Sequence, residues 1–116
     1  MVAIVQHYFI LNDEKEPVEV DLETFSKWDD YIADTTVAQG VRVWTVFLGV
    51  TNDRDPPEVP YFTHFIVEPG SLYRAVNTYG YDNAVARHGR IAEWLKKRAE
   101  RRAQKRASQE AGSGTQ

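Results

Sequence analysis

The chain of 116 residues has a formal net charge of −3, 42% hydrophobic and 12% aromatic residues, and no cysteine. Its length is that of one domain, and disulfides, thiolate metal sites and cysteine nucleophiles are excluded. The charge is divided: residues 1–95 carry 7 Lys and Arg against 15 Asp and Glu, and residues 96–116 carry 7 against 2, so an acidic body and a basic tail need separate electrostatic treatment.

Residues 3–11 read as a first strand, with Ala3, Val5, His7, Phe9 and Leu11 on one face and Ile4, Gln6, Tyr8 and Ile10 on the other. The run lacks a basic start, carries Gln6 and His7 and is too short to span a bilayer. It is therefore read as neither signal peptide nor membrane helix, and the expected location is the cytoplasm. A charged turn over 12–17 follows. Val18 to Val20 either add an edge strand or lead into a helix capped by Asp21, with Thr24 as the second choice of cap. Leu22, Phe25, Trp28 and Ile32 recur at helical spacing, which predicts a helix of about three turns over 22–34 lying across the sheet.

Residues 40–50 hold the densest run of β-branched and aromatic side chains and predict the central strand. Val41, Val43, Thr45 and Phe47 share one face; Arg42, Trp44, Val46 and Leu48 share the other. Both faces are mostly apolar, so the strand is expected to be covered on both sides. An acidic, proline-stiffened loop is expected over 51–58, then a strand over 59–68. Residues 71–79 allow a fourth short strand. A last helix is expected from Tyr81 or Asp82, with Val85, His88, Ile91 or Ala92, and Leu95 inward, running past the domain and fraying before Ser108. Gly89 costs this helix about 1 kcal/mol relative to alanine, and a close approach to the sheet is the expected return. The order β-α-β-β-(β)-α defines an α+β domain over 1–95. It has two helices, a three- or four-stranded, mainly antiparallel sheet, and a C-terminal basic helical extension over 96–116.

No phosphate loop, nucleophile elbow or metalloprotease motif occurs. His7 and His64, with Asp53, Asp55 or Glu58 nearby, match no metal-ligand spacing, and neither a metal nor another cofactor is expected. His64 and His88, with Tyr79, are the residues from which a ligand pocket or general base could be built; the competing reading is structural histidines bonded within the fold. In the tail, Lys96, Lys97, Arg98, Arg101, Arg102, Lys105 and Arg106 lie within eleven residues with Glu100 as the only acid. A helix of this kind could contact nucleic-acid phosphates, stay solvated, or fold onto the acidic body. It has no apolar face for a membrane.

Several stretches together resemble a family of short, uncharacterised proteins encoded by tailed bacteriophages and prophages. They are His7-Tyr8, the helix start 21–25 with Trp28, the strand 43–49 (Val-Trp-Thr-Val-Phe-Leu-Gly), Pro56-Pro57, 61–63, and Tyr79 ahead of Ala84 and His88-Gly89. Two positions depart from the family's pattern: Phe62 replaces a carboxylate, and Asn52-Asp53 stand where a histidine often follows the central strand. The resemblance implies a viral origin and supplies no activity. Three readings follow from the residues. The first is a non-enzymatic accessory protein binding a host or phage macromolecule in the bacterial cytoplasm. The second is a nucleic-acid-binding protein acting through the basic helix. The third is a small enzyme or ligand-binding domain using His64 and His88. A homo-oligomer is compatible with each.

Overall fold

The computed structural model describes residues 6–52, 60–71 and 73–113. In chain order the elements are β1 (Gln6–Leu11), β2 (Pro17–Val20), α1 (Leu22–Lys27), β3 (Tyr31–Ala38), β4 (Val41–Leu48), β5 (Val50–Asn52), β6 (Tyr61–Val67), β7 (Arg74–Thr78) and α2 (Tyr81–Ser113). The architecture is α+β, as the sequence predicts, but the strands form two antiparallel sheets where one was expected. One sheet has the order β2-β1-β5 and the other β3-β4-β6-β7. Val18 to Val20 thus join an edge strand, and the fourth strand near residue 75 is present.

Gly49 is the joint between the sheets. It lies between β4, at the centre of the larger sheet, and β5, at the edge of the smaller one. Its carbonyl accepts a 2.7 Å hydrogen bond from the Phe9 N–H of β1. A Cβ at this position would lie 2.1 Å from the Phe9 carbonyl oxygen, closer than two non-bonded atoms can approach. Only glycine lets the two backbones pass here.

The predicted helix over 22–34 is cut short. Asp21 caps its start by accepting from the Thr24 N–H at 2.8 Å, but the helix ends at Lys27 and the chain re-enters a sheet as β3. The reason lies in Ile32, Thr35, Thr36 and Val37, whose branched Cβ atoms favour extended backbone, and in the ladder β4 offers them. Tyr31 pairs with Val46, Asp34 with Trp44 and Thr35 with Val43. The apolar stripe survives the change of element. Phe25 meets Tyr8, Trp28 packs edge-on against Phe47, and Ile32 reaches the same cluster from β3.

α2 covers one face of the larger sheet. Ala84, His88, Ile91 and Leu95 recur at spacings of four, three and four and point inward. The burial is divided in two: Leu11, Phe47, Phe62 and Ala84 form one apolar cluster, and Val41, Val43, Ile66 and Leu95 form another. The opposite face, expected to be covered, has no helix on it among the described residues. Its aromatic side chains cover one another instead. The Arg42 guanidinium lies 4.4 Å from the Trp44 ring, Trp44 stacks on its cross-strand partner Phe65 at 5.4 Å, and Phe65 stacks on Tyr73 at 5.5 Å. Ring faces that would otherwise be wet are turned toward each other and toward a cation.

At 33 residues, α2 is about 50 Å long and outruns the sheet. It continues past Ser108, where fraying was expected, because Ala, Arg, Lys, Gln and Glu favour helix and no breaker occurs before Gly112. The expected role of Gly89 does not hold: it is exposed, and a Cβ there would meet nothing within 4 Å. Among the described residues no helix is long and apolar enough to cross a membrane.

Candidate functional site

Between the two apolar clusters lies a polar chain built from four strands, β3, β4, β6 and β7, and α2. Thr45 and His64 face each other across β4 and β6, and α2 lowers His88 onto them. Thr45 Oγ1 is 2.6 Å from His64 Nδ1 and 2.8 Å from His88 Nδ1. His88 Nε2 is 2.8 Å from Thr35 Oγ1, His64 Nε2 is 2.9 Å from Thr78 Oγ1, and Arg87 reaches Thr78 Oγ1 at 3.2 Å.

Arg87 can only donate, and one proton arrangement runs from it through every contact of the chain. Thr78 accepts from it and turns its own proton to His64 Nε2. His64 is then protonated on Nδ1 and donates to Thr45, which donates to His88 Nδ1. His88 donates through Nε2 to Thr35. In this arrangement each ring nitrogen has one partner, and the two histidines carry opposite tautomers. Among the described residues no buried side-chain polar atom lacks a partner.

Thr45 and His64 are 0% exposed and His88 is 6% exposed. Burial, then the charge of Arg87 and the neighbouring His88, pushes His64 down to about 4. Burial also lowers His88, against the opposing charge of Asp34. Both rings are therefore neutral near pH 7. The structure brings His64 and His88 together through Thr45 but seals them under α2. Tyr79 is not part of the group: it is 58% exposed and packs edge-on against Tyr61 at 5.9 Å. The pocket inferred from these three residues is thus corrected to a structural chain holding helix to sheet. His7 sits on the other sheet, 3.2 Å from Glu19. Among the described residues no group of three His, Asp or Glu side chains is placed to hold a metal ion. Asp53, Asp55 and Glu58 lie outside the described residues, as does most of the loop expected over 51–58.

A second constellation stands at the far end of the sheet, around Glu68. Its side chain is fully buried and receives three arginines. Arg74 Nη2 donates to Oε1 at 2.7 Å, Arg98 Nε donates to Oε2 at 2.9 Å, and Arg102 Nη2 also donates to Oε2. Burial by itself would raise the Glu68 carboxyl, but the hydrogen bonds and charges of Arg98 and Arg102 outweigh it and hold it below its usual range. Trp94 completes the group, with the Arg98 guanidinium 4.7 Å and the Arg74 guanidinium 5.3 Å from its ring.

The seven basic residues of the tail accordingly fall into two sets. Arg98 and Arg102 are committed to Glu68, which realises for these two the alternative that the tail folds onto the body. Lys96, Lys97, Arg101, Lys105 and Arg106 are exposed, and among the described residues no ion pair engages them. Glu68 carried no signal in the sequence, because an isolated glutamate closing a strand looks like any surface residue. The spacing of Trp94, Arg98 and Arg102 at i, i+4, i+8 marked a shared helix face, but its partner lies thirty residues away.

No family model, curated protein or solved structure matches the chain.

Proposed function

We propose that the protein is a non-enzymatic accessory protein of a phage or prophage that binds nucleic acid in the bacterial cytoplasm through the projecting part of α2. One observation carries the reading. The helix leaves the sheet as a rod with residues 103–109 all exposed, and Lys96, Lys97, Arg101, Lys105 and Arg106 point into solvent along it. Such a rod neutralises backbone phosphates and releases counterions, which supplies affinity without base recognition. The acidic body repels the same phosphates, so contact is confined to the helix. The viral setting rests on the resemblance of residues 7–95 described above. Sealed, neutral histidines support a binding role over a catalytic one.

Fluorescence anisotropy of a short labelled DNA duplex tests the proposal. If five cations each meet a phosphate, log K falls against log salt with a slope of about −4.5. Replacing the five exposed cations with glutamine abolishes the slope and weakens binding more than about tenfold. A near-zero slope, or a quintuple variant that binds as tightly as the parent, sinks the idea. A pull-down from bacterial lysate separates it from a protein partner: nuclease should release everything bound, and a specific protein retained afterwards counts against nucleic acid.

A further inference from the structure

Four of the tail cations line one open groove of about 210 Å³: Arg98, Arg101, Arg102 and Lys105. Their spacing of i, i+3, i+4 and i+7 places them on roughly a 100° arc of the helix, whereas Lys96 and Lys97 lie outside it. The groove is not merely a place where charges coincide. Arg98 and Arg102 are held at its wall by the buried Glu68 carboxylate, and Arg98 also lies over Trp94. Holding them this way removes in advance the rotamer entropy an arginine loses when it grips a ligand.

The donors are not exhausted by Glu68. A guanidinium carries five N–H groups. Arg98 gives its Nε to the carboxylate and Arg102 one Nη2, which leaves both with N–H groups for a second acceptor. The charges are not exhausted either. One carboxylate faces Arg74, Arg98 and Arg102, with Arg101 and Lys105 adjacent, so the site keeps a large positive excess. Fixed planar donors with excess positive charge suit an oxyanion such as a phosphate, whose geometry the guanidinium fork matches.

We propose that this groove is a pre-organised phosphate seat. Arg101 and Lys105 close on a phosphate of the nucleic-acid backbone, Arg98 and Arg102 supply oriented N–H donors, and Glu68 is the positioning residue that aims them. This rests on the function proposed above and deepens it: the rod grips one phosphate at a defined place before the remaining cations add their diffuse attraction.

Equal changes in charge separate a seat from a uniform rod. Arg101→Ala with Lys105→Ala should weaken binding of the labelled duplex about tenfold at low salt, and Lys96→Ala with Lys97→Ala only about two- to threefold. Glu68→Gln makes the protein more positive, so a uniform rod would bind more tightly; a seat that has lost its aim binds more weakly, with thermal melting used to verify that the variant is folded. Equal losses in the two double variants, or tighter binding by a folded Glu68→Gln protein, overturn the proposal. Inorganic tripolyphosphate, titrated into full-length protein by calorimetry, distinguishes the two levels of inference. If DNA fails to bind but tripolyphosphate binds and loses affinity in the Arg101/Lys105 variant, the seat stands and the nucleic-acid reading falls. If neither ligand binds, the seat is overturned as well.

Discussion

Thr45 shows how far one hydroxyl can organise a core. It contacts two histidines at once, and because its single proton can go to only one ring, the other ring must donate to it. The arrangement has a measurable consequence in acid. His64 titrates at about 4 in the fold against 6.5 when unperturbed, so between those values the unfolded chain binds the extra proton. Stability is fully present above about pH 6.5 and falls as pH drops toward 4. From pH 7 to pH 5 the loss from His64 alone is about 2 kcal/mol, and His88, also lowered, adds to it in the same direction. Urea denaturation at the two pH values measures this. A His64→Gln variant should flatten most of the difference, and an unchanged slope would show that His64 is not the group responsible. Alternation already grouped Thr45 with Val41, Val43 and Phe47 on one face of the central strand, and the stripe of the last helix put His88 inward. Their convergence was not legible, because it depends on β4–β6 register and on the rotation of α2.

Elements were legible where local chemistry and tertiary context agree. The strand 41–48, the Asp21 cap and the start of α2 at Tyr81 emerge from their own residues. α1 is where they conflict. Leu22, Phe25, Trp28 and Ile32 satisfy a helical period, yet the branched residues from Ile32 to Val37 gain a full ladder on β4 by extending. Trp28 and Ile32 reach the core either way, so the hydrophobic pattern did not discriminate and strand pairing did. Gly49 is the opposite case, since its necessity is invisible in sequence beyond its being a glycine. Gly49→Ala should destabilise the protein by about 3 kcal/mol or more, the Cβ forcing β4 and β1 apart at the 2.7 Å bond from Phe9. Thermal melting checks this, and a variant as stable as the parent would mean the two backbones have room the structure does not show. Gly89→Ala serves as the control. With nothing within 4 Å of its Cβ, it should stabilise the helix by up to about 1 kcal/mol.

At the scale of the molecule, an acidic body carries a basic rod, and the longest dimension is 72 Å against 36 and 25 Å for the others. The join between them is Glu68. A chain ending at Arg102 keeps all three arginines on that carboxylate and should lose less than about 0.5 kcal/mol, because the described residues removed are exposed. A chain ending at Leu95 removes Arg98 and Arg102 and leaves a buried carboxylate with Arg74 alone, which should cost about 3 kcal/mol. Equilibrium unfolding of both truncations is the measurement. Equal stabilities would show that the Glu68 cluster does not brace the helix. The change of composition near residue 96 is therefore not a structural seam: the first two turns beyond it are tied to the sheet.

Sequence by itself determined the α+β class, the central strand, the separation of acidic from basic charge and the inward face of the last helix from His88 to Leu95, but not its start, where Val85, expected inward, is exposed and Ala84 is buried instead. Each of these depends on interactions within a few residues: alternation, helical period, capping and local composition. Tertiary structure decided the division into two sheets at Gly49, the conversion of residues 31–38 to strand, the sealing of His64 and His88, and the commitment of Arg98 and Arg102 to Glu68. Those outcomes depend on which distant backbone or carboxylate a segment meets. A residue's own neighbours in the chain carry no record of that partner.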